Sequence, residues 1–182
     1  MKLGFLTVPF GHWSLEQVAE WASGNGFETL EICCWPLESG DQRRYAGVTH
    51  IDVEALDDAK AEEITAMLGR HGIEISALAY YPNNLHPDPE HRRAVNEHTT
   101  KVIDAAARLG ATTVCTFAGR DQSKNLPDNM AEFRQVWPGI VEHAEAKGVR
   151  VAIENCPMIF SYDEWPGGTN LAYSPAIWRE MF

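Results

Sequence analysis

The stretch that decides the fold is Val149-Arg150-Val151-Ala152-Ile153-Glu154-Asn155-Cys156-Pro157. Gly148 closes a helical pattern, a short β-branched run follows, and the run ends at a carboxylate, a carboxamide, a thiol and a proline. Pro157 has no N–H to give a ladder and biases Cys156 away from the helical region, so regular pairing is expected to stop there. Glu154 would then stand at the carboxyl end of a buried parallel strand, the end at which α/β folds place their ligand sites.

Working outward, four earlier runs read as strands: Lys2 to Val8, Thr29 to Trp35, Ile73 to Tyr80 and Thr112 to Phe117. In the second, Leu30 and Ile32 point one way and Glu31 and Cys33 the other, which puts a carboxylate opposite the aliphatic face. Helical patterns lie between the strands. Ser14 and Gln17 form a capping box ahead of Leu15, Val18, Ala19 and Ala22. Asp57 to Arg70 is acidic early and has Gly72 just past its end, and Asp88-Pro89 opens a long helix that Gly110 stops. A further helix is expected from Asp128 or Asn129, with Pro138 kinking or dividing it. Ser174-Pro175 caps and starts a last one. Trp21, Trp137 and Trp178 fall on these helical patterns and are expected in the core. The segment from Pro36 to Leu56 is long for a connection and reads as a lid or binding edge.

The βα alternation predicts a parallel sheet, and two architectures share it. One is a doubly wound open sheet of five strands. The other is a (β/α)8 TIM barrel, which needs roughly 250 residues and of which this chain would hold about the first five βα units. Three features favour the barrel. Val8 to Ser14 lacks a glycine-rich phosphate loop. Polar groups occur at several strand ends, namely His12, Glu31, Asn84, His86, Arg120 and Glu154. The last helix reaches Ile177, Trp178, Met181 and Phe182 without a terminal glycine or a basic last turn, and so reads as an element cut short. The expectation is one domain over residues 1–182, the N-terminal five-eighths of a barrel.

Composition narrows the function. The chain has 182 residues, 45% hydrophobic and 23% charged, the balance of a globular protein. A formal charge of −11 opposes a phosphate backbone, which argues against a nucleic-acid partner. No apolar run approaches the roughly 18 residues of a membrane span, and Met1 to Leu6 leads straight into a strand pattern. A cytoplasmic location with no membrane partner is the expectation. Cys33, Cys34, Cys115 and Cys156 have neither framework nor zinc-ribbon spacing and are expected as buried reduced thiols.

Four stretches together carry a resemblance: Leu30-Glu31-Ile32, Asn84-Leu85-His86-Pro87-Asp88, Thr116-Phe117-Ala118-Gly119-Arg120, and Ile153-Glu154-Asn155-Cys156-Pro157-Met158. In this order they resemble the sugar phosphate isomerase/epimerase family of the xylose isomerase-like TIM-barrel superfamily, over essentially the whole chain. The resemblance implies a divalent metal (Mn, Mg, Co or Zn) held by a Glu from strand five, an Asp from strand six, a His from strand seven and a Glu from strand eight. It implies a small sugar or cyclitol substrate whose proton next to a carbonyl moves by way of an enediolate. Such chemistry needs a positioned base and a stabiliser of the developing oxyanion. Only Glu154 carries over, as metal ligand and catalytic group; the other three would fall beyond Phe182, so the 182-residue chain alone is expected to be inactive. The superfamily's abasic-site endonucleases use histidines from strands three and four, which Leu78 to Tyr80 and Val114 to Phe117 lack. Some ketose 3-epimerases have a second Glu six residues after the strand-five ligand, where this chain has Phe160.

Each candidate has a plainer reading. Glu154 could be a solvated strand-end acid. His86, Asn84, His12 and Arg120 are the candidate substrate contacts, but His86 could hold its own loop, Asn84 could brace its turn, and His12 with Trp13 could be packing. Arg120 could bind a substrate phosphate or form a surface ion pair with Asp121 or Asp128. Beside the isomerase or epimerase stand two alternatives: a non-enzymatic partial barrel or interaction module, whose open strand edges would favour a homo-oligomer, and a small-molecule-binding open α/β sheet.

Overall fold

The computed structural model describes residues 1–37, 46–159 and 168–182. Along the chain run β1 (Gly4–Leu6), α1 (Leu15–Gly24), β2 (Thr29–Cys33), α2 (Asp58–Arg70), β3 (Glu74–Ala79), α3 (Pro89–Arg108), β4 (Thr113–Thr116), α4 (Leu126–Ala146), β5 (Arg150–Ile153) and α5 (Pro175–Met181), with a 3-10 turn at Val8–Phe10. Local chemistry explains the helix starts. Ser14 and Gln17 cap each other reciprocally, the Asp88 carboxylate accepts from the main-chain N–H groups of Glu90 and His91, and the Ser174 hydroxyl accepts from Ile177 N.

Every strand pairs parallel with its sequence neighbour, in the order β1-β2-β3-β4-β5. A doubly wound sheet reverses direction partway to place helices on both faces, whereas an unreversed order with right-handed crossovers keeps all helices on one face. The sheet is therefore singly wound, the opening of a (β/α)8 barrel, and the open-sheet alternative is overturned by the strand order. Leu30, Ile32, Leu78 and Val114 are fully buried and pack, with Val18, Val102 and Ile103 of the helices, in the core between sheet and helices. The residues alternating with them, Glu31, Cys33, Ala77, Ala79, Cys115 and Ala152, are matched across β2 to β5 on the barrel-interior face. A register shift between Leu30 and Glu31 is what sets Glu31 opposite Ala77.

Several expectations need correction. β5 is half-exposed rather than buried, because among the described residues it is an edge strand. β1 is only three residues long, since Val8–Phe10 turns into a 3-10 helix. α4 begins at Leu126, because Asn125 caps it by accepting from Asp128 N and Pro127 suits the first turn. It also runs undivided through Pro138, which is exposed, so the carbonyl that loses its partner can turn to water. Trp21 is 38% exposed and packs with Phe5, Phe10 and Phe27 in an aromatic group at the rim, whereas Trp137 is buried and Trp178 half-buried. Cys33 and Cys34 are buried, Cys115 and Cys156 half-buried, and all four are free. Part of the expected lid, residues 38–45, lies outside the described residues, as do Phe160 and the run Trp165-Pro166-Gly167. The rest of that loop folds back on the core: Trp35 N donates to Val48 O at 3.2 Å, and Ile51, Val53 and Leu56 are buried. Among the described residues no helix is long and apolar enough to cross a membrane.

Candidate functional site

Alternation along β5 places Glu154 on the same side as Ala152, hence on the barrel-interior face that Glu31 and Cys115 share. Its main-chain N–H still pairs with Thr116 O at 3.0 Å, so the residue is held as the last rung of the ladder. Solvent reaches Glu154, yet partial burial and then the Glu31 charge push its carboxyl above the ordinary glutamate range. Glu31 in turn accepts a hydrogen bond from the Tyr81 hydroxyl at 2.5 Å. Burial, followed by the Glu31 charge, drives the Tyr81 hydroxyl far above its usual range, so Tyr81 stays a neutral donor. The same two causes push the Cys115 thiol up to about 12, and it remains a neutral wall of the site.

The strand end that carries Glu154 is clamped from below. Asn170, fully buried, donates through Nδ2 to Glu154 O at 3.1 Å and Cys156 O at 2.6 Å, and accepts through Oδ1 from Gly119 N at 3.3 Å. One carboxamide therefore joins the loops after β4 and β5. A second, half-buried joint links the loops after β3 and β4: Asn83 donates to Arg120 O at 2.7 Å and accepts from Arg120 N at 2.8 Å. Gly119 makes that approach possible at φ +85°, where a Cβ would lie 2.4 Å from Leu85 N.

Beside these groups lies a cavity of about 710 Å³, walled by Trp35, Tyr81, Phe117 and Met158, with His86, His91 and Arg120 also lining it. Tyr81 belongs to both features, since its ring lines the cavity and its hydroxyl holds Glu31.

The five sequence candidates separate in this setting. Glu154 stands at the barrel mouth. His86 and Arg120 line the cavity; His86 Nδ1 also accepts from Asp88 N at 3.2 Å and its ring lies 4.2 Å from that of His91. Asn84 is buried and its carboxamide is fully committed, to Thr116 Oγ1 at 3.2 Å, Phe117 O at 2.9 Å and Thr99 Oγ1 at 3.0 Å, so the structure gives it a bracing place. His12 is exposed in the turn after β1, outside the cavity lining. Arg120 makes no ion pair with Asp121 or Asp128 among the described residues; Asp121 binds Ser123 and Lys124 instead. Sequence reasoning passed over Tyr81, Asn83 and Asn170. Counting by twos from Ala77 reaches Tyr81, but only with the bulge beside Glu31 in hand. Nothing in the sequence distinguishes Asn83 from Asn84.

No set of three or more His, Cys, Asp and Glu side chains able to hold a metal occurs among the described residues. Glu154 and Glu31 are oxygen donors suited to a hard cation, but two carboxylates do not complete a metal centre.

Comparisons with known proteins agree with the fold. The probable 3-DHS dehydratase AsbF of Bacillus anthracis superposes over 100% of this chain and 59% of its own, with TM-score 0.67 and 16% identity. D-psicose 3-epimerase of Clostridium cellulolyticum H10, solved with D-tagatose, matches over 89% of this chain and 55% of its own, with TM-score 0.63 and 19% identity. The IOLI protein, solved with a binding zinc atom, matches over 84% and 51%, with TM-score 0.60 and 19% identity. The chain thus spans little more than half the length of each of these proteins. No curated protein matches it in sequence. A xylose isomerase-like TIM barrel domain is matched by residues 19–175, and with the singly wound parallel sheet this establishes that the chain belongs to the xylose isomerase-like TIM barrel family.

Proposed function

We propose that this chain supplies the N-terminal half of the active-site mouth of a sugar isomerase- or epimerase-like enzyme, one that moves a proton at a carbon beside a carbonyl of a sugar or cyclitol. The observation that carries the reading is the placement of Glu154 and Glu31 on the interior face at the strand ends, where burial and then the Glu31 charge hold the Glu154 carboxyl above its ordinary range. A carboxyl held above its ordinary range accepts a proton from carbon more readily than a free one, and it returns that proton from the same position. Tyr81 orients Glu31 by donating to it. The aromatic faces of Tyr81, Phe117 and Trp35 suit the C–H faces of a sugar ring, and His86 lies within reach of its hydroxyls at the cavity wall.

A divalent metal of the Mn, Mg, Co or Zn kind, when bound, would supply Lewis-acid stabilisation of the oxyanion, with Glu154 as one of its ligands. The described residues provide only that part of its shell. D-Psicose 3-epimerase, similar in fold, was solved with a ketohexose bound, which supports a substrate of that size.

The test is a titration of the chain with D-fructose, D-tagatose and myo-inositol, followed by amide NMR. Binding should shift resonances of Glu31, Tyr81, Cys115 and Glu154 together, and Glu154→Gln should weaken it. Shifts confined to the helical face, or no saturable shift with any of the three, would contradict the reading. A second reading, a self-associating module, is favoured by the outer edges of β1 and β5, which have no strand partner among the described residues. Size-exclusion chromatography separates it: a dimer that forms equally well after Glu154→Gln, without sugar binding, would support the module.

A further inference from the structure

The cavity near Glu154 is lined by a cation that has no ion-pair partner among the described residues. Arg120 lines it, and both Nε and Nη1 of its guanidinium are shielded from solvent and lack a hydrogen-bond partner among the described residues. This is unusual, because a guanidinium carries five N–H donors and burying them without acceptors is costly. The nearest carboxylate in sequence, Asp121, also lines the cavity but does not answer Arg120. Its Oδ1 accepts from Ser123 N at 2.9 Å and Ser123 Oγ at 2.6 Å, and its Oδ2 faces Lys124 Nζ at 3.6 Å. Glu132, a further acid on α4, is taken up by Arg92 at 3.2 Å and Lys124 at 2.6 Å.

The main chain of Arg120 is hydrogen-bonded, while Nε and Nη1 of its head group have no partner among the described residues. Asn83 holds both its N–H and its carbonyl, so the side chain projects from an anchored point into the space that His86 and His91 share. A chain of net charge −11 has no lack of carboxylates, yet none is placed on this guanidinium among the described residues. A planar fork of N–H donors, anchored at its base and left without acceptors on Nε and Nη1 among the described residues, matches the geometry of a phosphate or carboxylate group.

We infer that Arg120, with His86 and His91 beside it, forms an anion subsite, so that the substrate is a sugar carrying a phosphate or carboxylate head group rather than a neutral sugar. The inference rests on the proposed function for the sugar part of the ligand; the anion site itself stands on Arg120 and the cavity. The anion sits against Arg120 while the polyol reaches past Tyr81 and Phe117 to Glu154.

Isothermal titration at fixed ionic strength tests this with four probes: D-fructose, D-fructose 6-phosphate, 2-keto-D-gluconate and inorganic phosphate. At least one of the two sugar anions should bind about tenfold or more tighter than D-fructose, the size of a charge-assisted hydrogen bond. Which of the two does so identifies the head group. Arg120→Gln should erase that gain while leaving D-fructose affinity unchanged, and Arg120→Lys should retain part of it. Because Nε and Nη1 of the guanidinium have no hydrogen-bond partner among the described residues, Arg120→Gln should melt no lower than the wild type, which separates lost binding from lost fold. Equal affinities for the neutral and anionic sugars, or a gain that survives Arg120→Gln, would overturn the inference. Should no sugar bind, the proposed function fails, and inorganic phosphate decides the subsite alone: saturable binding lost in Arg120→Gln upholds it, and none refutes it.

Discussion

The side-chain amide of Asn170 donates to the main-chain carbonyl of Glu154 at 3.1 Å, tying the end of β5 to a residue sixteen positions later in the chain. Asn170 has no exposed surface and also serves Cys156 O and Gly119 N. Replacing it by Ala leaves those groups without partners, which should cost about 2–4 kcal/mol. Urea unfolding measures the loss. Sugar affinity should fall together with stability, because the same clamp positions Glu154.

Gly119 has a φ of +85°, and an added Cβ would lie 2.4 Å from Leu85 N, 2.6 Å from Asn83 Oδ1 and 2.7 Å from Asn84 N. All of these belong to the loop after β3, so Gly119→Ala should force the two loops apart. The expected destabilisation is about 2 kcal/mol or more, combining backbone strain with overpacking. Thermal melting checks it, and an unchanged melting temperature would mean that the two loops are not joined in this way.

Asn84 and Asn83 are neighbours with different tasks. Asn84→Ala removes three buried hydrogen bonds to Thr116, Phe117 and Thr99 and should lower stability by about 2–3 kcal/mol, while the affinity of the folded fraction for ligand stays as it was. Asn83→Ala frees Arg120 and should weaken anion binding more than it weakens the fold. Paired denaturation and binding measurements on the two variants distinguish bracing from positioning.

Much of this was legible in the sequence. Period-two alternation assigned Glu31 and Leu30 to opposite faces, and the caps at Ser14, Asp88 and Ser174 marked helix starts that depend only on residues within one turn. Glu154 at the end of strand five was legible because Pro157 stops a ladder wherever it occurs. The rest depends on contacts distant in sequence. Asn170 meets Glu154 across sixteen residues, and Tyr81 meets Glu31 across fifty, through a bulge that no local pattern announces. Asn84, selected as a ligand contact, lies under the loop because Thr99 and Thr116 are there to receive it. Strand order was equally hidden, since alternation of strands and helices is the same in a barrel and a doubly wound sheet.

The raised Glu154 carboxyl also sets a pH dependence. In the folded chain it keeps its proton to higher pH than in the unfolded chain, so folding becomes less favourable as pH rises through and above the ordinary glutamate value, and this penalty is absent below it. Glu154→Gln should accordingly be no less stable than wild type at neutral pH, with any advantage vanishing in acid. Chemical denaturation across pH 3 to 8 checks the sign.

The claim that Glu154 faces Glu31 across the barrel mouth is tested most directly by a ¹³C-carboxyl NMR titration of Glu154 in the wild-type chain and in Glu31→Gln. The wild-type midpoint should lie above the ordinary glutamate range and move back toward it when the Glu31 charge is removed. An ordinary midpoint in the wild type, or a raised one that ignores Glu31→Gln, would contradict it.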